Sequence, residues 1–277
     1  MKQSLFQWTT RDGLQLQARE WAHATKDPRA VVCLVHGYAE HGARYGHMAA
    51  ELTRSGFVLM TFDLRGHGRS GGKRGHTPSY EAMMDDISLL LDEAARRYPG
   101  LPRFLYGHSM GGNLALNYTL RRRPDIRGVV ASSPWLRLAR QPRWIVVLIA
   151  RIMNKLTPST TLKIKLDASG LSHDQEVVRA YMNDPYVLNE ISFRLFTGIY
   201  DSGRWAMDYA YMFPLPLLIF HGDSDPVTSP EASKQFAATV PGECTLKIWQ
   251  GLFHETHNEL KKQEVITYLK GWLEGHL

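Results

Sequence analysis

The residues best suited to chemistry in this 277-residue sequence start at Gly107-His108-Ser109-Met110-Gly111, where a serine stands between two glycines. Apolar Phe104-Leu105-Tyr106 reads as a buried strand, and Asn113 to Tyr118 reads as the helix that follows. Ser109 therefore falls on a sharp strand-to-helix turn. Such a turn leaves no room for side chains two residues away on either side, which is what Gly107 and Gly111 provide. The pattern is that of a nucleophile elbow with Ser109 as the attacking hydroxyl. The plainer alternative is a helix-capping serine in a glycine-containing turn.

A serine hydroxyl is too weakly acidic to attack an acyl carbon at neutral pH, so it needs a general base and a group that orients that base. In a strand–elbow–helix architecture these partners come later in the chain, acid before histidine. Asp223 and Asp225 follow one later strand, and spacing alone excludes neither. Asp225 lies further into the loop, with Pro226 fixing the chain after it, and is the preferred acid; Asp223 is then an acceptor for loop amides. His254 follows the last strand directly and is the preferred base, whereas His257 lies one helical turn later and points elsewhere. The developing oxyanion needs amide donors, for which the backbone N–H groups of Met110 and Tyr38 are the candidates. His36, His41, His67, His76 and His108 lie in loops near strand ends, where ring bonds to backbone are the usual role. None has metal-ligand spacing, so no metal and no cofactor is expected.

The elements that must position these groups alternate along the chain. Leu5-Phe6-Gln7-Trp8 and Leu14 to Ala18 flank Arg11-Asp12-Gly13 as an antiparallel hairpin. Ala30–Val35, Phe57–Phe62, the elbow strand, Gly128–Ala131, Pro216–Phe220 and Thr245–Trp249 read as strands, most of them continuously apolar, as parallel strands covered on both faces should be. Helical spacing fills the intervals, notably Tyr80 to Tyr98 and a C-terminal helix with Val265, Ile266, Leu269 and Trp272 on its core face. This alternation predicts an α/β fold with a doubly wound, mostly parallel sheet and its site at the carboxyl ends of the strands. The alternation lapses between Trp135 and Phe213, which reads as helices at Trp144 to Leu156, Asp174 to Tyr181 and Glu190 to Tyr211. An insertion there forms a helical cap, residues 135–212, over a core made of 1–134 and 213–277.

Composition is that of an ordinary globular chain. The net charge of +6 is scattered apart from Arg121-Arg122-Arg123, and no basic–aromatic alternation points to nucleic acid. Cys33 and Cys244 lie in apolar runs and read as two free buried thiols. The start of the chain lacks an apolar signal-peptide core, which gives a cytoplasmic expectation. The longest apolar run, Trp144 to Ala150, falls far short of the roughly twenty residues that span a bilayer.

Taken together, His36-Gly37-Tyr38-Ala39-Glu40-His41, Asp63-Leu64-Arg65-Gly66-His67-Gly68-Arg69-Ser70, Gly107-His108-Ser109-Met110-Gly111-Gly112, Gly222-Asp223-Ser224-Asp225 and Gly251-Leu252-Phe253-His254-Glu255 resemble the monoacylglycerol lipase and lysophospholipase group of α/β-hydrolases. The likeness covers essentially the whole chain, and Leu171-Ser172-His173-Asp174 with Asp184-Pro185 is similar to the cap of that group. The resemblance implies an α/β-hydrolase fold with an eight-stranded sheet, helices on both faces and a cap. It also maps the acid to Asp225, the base to His254 and the oxyanion donors to Tyr38 and Met110. The group often has a smaller residue where Tyr38 stands. The implied activity is hydrolysis of esters of one fatty acyl chain, at or near a membrane. The Arg-flanked run from Trp144 to Ile152 fits a cap helix that dips into a lipid interface, the alternative being a helix packed within the cap.

Short-chain esters, thioesters and N-terminal peptide bonds are alternative substrates for the same triad. A peptidase would need a cap carboxylate for the substrate amine, for which Asp167, Asp174, Glu190 and Asp201 are the candidates. A binding protein that kept the fold and lost the chemistry is the non-enzymatic alternative.

Overall fold

The computed structural model describes residues 1–25, 27–164 and 167–277. The chain opens with an antiparallel hairpin, β1 (Lys2–Thr9) and β2 (Gln15–Ala22), followed by β3 (Ala30–Val35), α1 (Gly46–Arg54) and β4 (Phe57–Phe62). Helix α2 (Tyr80–Arg97), β5 (Arg103–His108), α3 (Met110–Arg122) and β6 (Gly128–Ser132) complete the first half. After the segment between Trp135 and Phe213 come β9 (Leu217–Gly222), α7 (Pro230–Thr239), β10 (Cys244–Trp249) and α8 (Lys262–Gly275). Among the described residues, eight strands form one sheet in the order β1-β2-β4-β3-β5-β6-β9-β10, parallel from β4 onward. This is the α/β-hydrolase fold.

Period-two alternation splits the apolar strands between two cores. Val31, Cys33 and Val35 of β3 face the cluster built with α2, α3 and α7, while Ala30, Val32 and Leu34 face the cluster built with α1 and α8. Leu105 of β5 joins the first cluster, and Phe104 and Tyr106 join the second. Both faces are covered, so the continuously apolar runs are explained. Strand β10 is the exception: it lies at the sheet edge, and Cys244 on it is half-buried instead of buried.

The chain winds outward from β3 to β4, crosses back to β5, and then winds the other way through β6 and β9. The carboxyl ends of β3 and β5 therefore flank the crevice where an open α/β sheet exposes its loops. The polar loop after β4 braces that crevice. Asp63 accepts the Gly42 and Arg69 N–H groups, His36 accepts the Leu64 N–H, and Arg65 pairs with buried Asp86.

Between Trp135 and Phe213 lie α4 (Trp144–Leu156), β7 (Thr161–Lys163), α5 (Gln175–Asn183), β8 (Glu190–Ser192) and α6 (Phe193–Asp208). The helix expected over Glu190 to Tyr211 starts only at Phe193, because Glu190–Ser192 pairs antiparallel with β7 as a two-stranded ribbon. Ser192 ends that strand and caps the helix through Oγ, accepting the Leu195 N–H at 3.1 Å. This segment is tied to the core through backbone: Leu188 N–H donates to Ala39, Ser192 N–H to Gly75, and Glu255 N–H to Leu171.

Candidate active site

Ser109 occupies the junction of β5 and α3 with φ 53° and ψ −114°, a conformation L-residues seldom adopt. The flanking glycines are needed for space: a Cβ on Gly107 would collide with the Gly111 carbonyl, and one on Gly111 with the Val35 carbonyl. The Ser109 side chain is turned toward the end of the last loop. Its Oγ–H donates to His254 Nε2 across 3.0 Å. His254 Nδ1–H in turn donates to Asp225 Oδ2 at 2.7 Å. All three residues are buried.

The carboxylate of Asp225 is fully engaged. Oδ1 accepts the N–H groups of Val227 and Thr228, and Oδ2 also accepts from the Thr228 hydroxyl and from His221 Nε2–H at 2.9 Å. Burial would push this carboxyl up, but the charge and hydrogen bonds of His254 and His221 outweigh it and hold its pKa well below the usual carboxylate range. Burial would likewise depress His254, yet the adjacent Asp225 carboxylate holds it above its ordinary value. Asp223, two residues earlier, is exposed and accepts the Gly251 N–H at 2.7 Å, outside this chain of bonds.

The loop after β3 lies against the nucleophile. A Cβ on Gly37 would fall 3.2 Å from Ser109 Cβ, and Ala39 holds a left-handed φ of 67° while its carbonyl accepts the Leu188 N–H. The Gly37 N–H is taken by Glu40 Oε1, which also accepts from Tyr45 Oη. Met110 follows the nucleophile at the first position of α3, and Tyr38, like Ser109, lines the open space over the nucleophile.

The other loop histidines have varied partners. His36 and His67 bond backbone carbonyls, as expected, but His41 meets the Asp184 carboxylate, His76 the Ser192 hydroxyl and His108 the Ser132 hydroxyl. His257 stacks on Tyr45 at 5.0 Å between ring centres. Among the described residues no cluster of three or more His, Cys, Asp or Glu side chains is arranged to hold a metal.

A cavity of about 160 Å³ opens above Ser109, walled by apolar Trp135, Leu138, Ile164, Leu171, Phe196 and Val227. A second apolar hollow of about 220 Å³ shares Ile164 and Phe196 with it and lies against α4, between Val146, Ile149 and Leu162. Asp167, Asp174, Glu190 and Asp201 are absent from the described lining of the first cavity. Asp167 and Asp174 cap helices, Glu190 accepts from Thr161, and Asp201 pairs with Arg151. The carboxylates that do border the cavity, Glu40 and Glu255, share Arg44 between them.

Sequence reasoning passed over Arg44, His221 and Thr228. His221 is the next-to-last residue of β9 and reaches Asp225 only because the turn after that strand folds back, so no periodicity announces the contact.

The family model described as Hydrolase_4, serine aminopeptidase S33, matches residues 26–261. The chain belongs to this family. It is 35% identical to a monoacylglycerol lipase of Mycolicibacterium smegmatis over 96% of this chain and 95% of that one. It is 36% identical to an uncharacterized abhydrolase domain-containing protein of Dictyostelium discoideum, of whose length it spans 30%. The solved structure of a monoacylglycerol lipase from Paleococcus ferrophilus superposes with a TM-score of 0.87 at 33% identity, covering 95% of this chain and 99% of that one.

Proposed function

We propose that this protein hydrolyses esters of single fatty acyl chains, monoacylglycerols first among them, through an acyl-enzyme on Ser109 beneath a cap formed by residues 135–212. By family and relatives the chain is a carboxylic ester hydrolase. One observation carries the finer reading: the hydrogen-bonded row Ser109–His254–Asp225 ends in an apolar hollow suited to a hydrocarbon chain.

In this reading Ser109 Oγ attacks the ester carbonyl carbon while its proton passes to His254 Nε2. Asp225 keeps Nδ1 protonated and stabilises the imidazolium that forms. The tetrahedral oxyanion accepts the N–H groups of Met110 and Tyr38, donors that are fixed before the charge develops. His254 then protonates the departing alkoxide oxygen, which leaves an acyl ester on Ser109. Water, deprotonated by His254, attacks that ester and restores the free serine.

The acyl chain would run past Ile164 and Phe196 into the hollow that lies against α4. The outer face of α4 supports contact with a lipid surface. Val147 and Ala150 pack inward, while Trp144 is 75% exposed and Ile145, Leu148 and Ile152 are exposed beside Arg143 and Arg151. No helix among the described residues is long and apolar enough to cross a membrane. An N-terminal peptide substrate is disfavoured, because the carboxylates that border the cavity, Glu40 and Glu255, are both held by Arg44.

The test is a substrate panel: monoacylglycerols of graded chain length, lysophosphatidylcholine, diacylglycerol, p-nitrophenyl esters and aminoacyl anilides. A rate optimum on medium- or long-chain monoacylglycerol supports the reading. Preferential cleavage of the anilides would overturn it.

A further inference from the structure

The acid of the site serves two imidazoles. Asp225 Oδ2 receives His254 Nδ1–H at 2.7 Å from one side and His221 Nε2–H at 2.9 Å from the other. The Thr228 hydroxyl lies 3.3 Å from both of those ring nitrogens and 2.9 Å from the shared oxygen. His221 is completely buried, at 0% exposure. Its tautomer follows from its partners. An ionised carboxylate only accepts, so Nε2 carries the proton, and Nδ1 must then accept the Ser233 hydroxyl hydrogen at 2.8 Å. Ser233 sits in the first turn and a half of α7, so a rigid helix fixes the ring.

We infer that His221 is a positioning residue for the reaction: by donating a second imidazole N–H to Asp225 it divides that carboxylate's charge and sets the basicity of His254. This rests on the reading of Ser109, His254 and Asp225 given above. The physical ground is that a carboxylate oxygen already bonded to one donor is a poorer partner for the next. With His221 in place, the imidazolium of His254 is stabilised enough to form in the transition state. It is not stabilised so far that the base stays protonated near neutral pH.

The other groups around His254 do not supply this control. His108 packs 4.9 Å from its ring, with His257 behind it, and burial followed by mutual repulsion keeps His108 uncharged. Glu255 and Glu40 favour the charged form of His254, but both are tied to Arg44. Burial lowers the pKa of His221 despite the Asp225 carboxylate beside it. Burial prevails at His221 and the Asp225 carboxylate prevails at His254, and the acid limb of activity is assigned to His254 because its Nε2 faces the Ser109 hydroxyl.

The experiment measures kcat and kcat/KM against pH with p-nitrophenyl butyrate for wild type, His221→Gln and His221→Leu. Glutamine places an amide N–H where Nε2 stands; leucine keeps bulk and removes the donor. In His221→Leu the acid limb of kcat/KM is expected to move up by about half to one pH unit, the scale of one hydrogen bond to a charged group. Its kcat is expected to fall by about threefold to tenfold with KM little changed, and His221→Gln should keep the wild-type limb. An unmoved limb in His221→Leu, or the same shift in both variants, would overturn the inference, since a packing role predicts no difference between donor and non-donor. If the leucine variant does not fold, Ser233→Ala carries the test. It frees the tautomer, and it should move the limb in the same direction by a smaller step; no movement counts against the inference. Asp225→Asn and Ser109→Ala run alongside, and near-wild-type turnover in either would sink the triad reading itself, a separate failure.

Discussion

Arg44 holds Glu255, the residue after His254, with both terminal guanidinium nitrogens, Nη1–Oε1 at 2.6 Å and Nη2–Oε2 at 2.7 Å. The same guanidinium reaches Glu40 Oε2 at 2.7 Å, and Glu40 receives the Gly37 N–H. One buried cation thus links the loop after β3 to the loop after β10. Burial and the neighbouring Glu255 charge push Glu40 up; burial also works against Glu255, but Arg44 outweighs it and holds Glu255 low.

Replacing Arg44 by methionine leaves two buried carboxylates without their cation. Removing one partner of a buried pair costs about 3–5 kcal/mol, so Arg44→Met is expected to lower the urea midpoint by that equivalent. It should also reduce turnover on every ester, because both loops that flank Ser109 lose their tie. A midpoint within about 1 kcal/mol of wild type would show that the ion pairs contribute little net stability.

Acidification is expected to destabilise the fold through histidines buried in their neutral form. Burial, the main cause, lowers His36 to about 4 and His67 and His257 to about 3, and it depresses His108 as well. Each folded pKa lies below the unfolded value near 6.5, so the unfolded chain binds more protons below that pH. The contribution is complete above 6.5 and is lost as pH falls from there through the folded values. Urea midpoints at pH 7.5, 6.0 and 5.0 should therefore decline in that order; a constant midpoint would contradict the neutral burial of these rings.

Chain-length selection should respond to the shared wall between the two hollows. Ile164→Trp enlarges a side chain that lines both hollows and is expected to cut kcat/KM for long-chain monoacylglycerol by about tenfold or more, leaving the butyrate ester nearly unaffected. Equal losses on both substrates would mean that the acyl chain takes another route.

Lipid-surface contact should weaken when the exposed face of α4 is made polar. The triple variant Trp144→Ser, Leu148→Ser, Ile152→Ser is expected to lose about tenfold or more in binding to lipid vesicles, while hydrolysis of soluble p-nitrophenyl butyrate is unchanged. Unchanged vesicle binding would assign these side chains to another role.

Much of this architecture is legible in the sequence because burial writes it there. Ala30–Val35 and Phe57–Phe62 are each apolar from end to end because helices cover both faces, and glycine-rich loops mark where they stop. The elbow is legible for a steric reason, since only glycine fits at 107 and 111. The ribbon of β7 and β8 is not legible: three residues per strand are too few to display a period, and Ser192 serves both strand and helix. The contacts of Arg44 with Glu255 and of His221 with Asp225 depend on how loops fold back, which hydrophobic spacing does not encode. The half-burial of Cys244 depends on β10 lying at the edge, a fact of strand order and not of local composition.

The most direct test of the account is the site and extent of labelling by a fluorophosphonate, a reagent that phosphonylates an activated serine. One adduct per chain is expected, on the peptide that carries Ser109, with labelling abolished in Ser109→Ala and strongly slowed in His254→Ala. Labelling of another residue, or equal labelling of wild type and Ser109→Ala, would contradict the account.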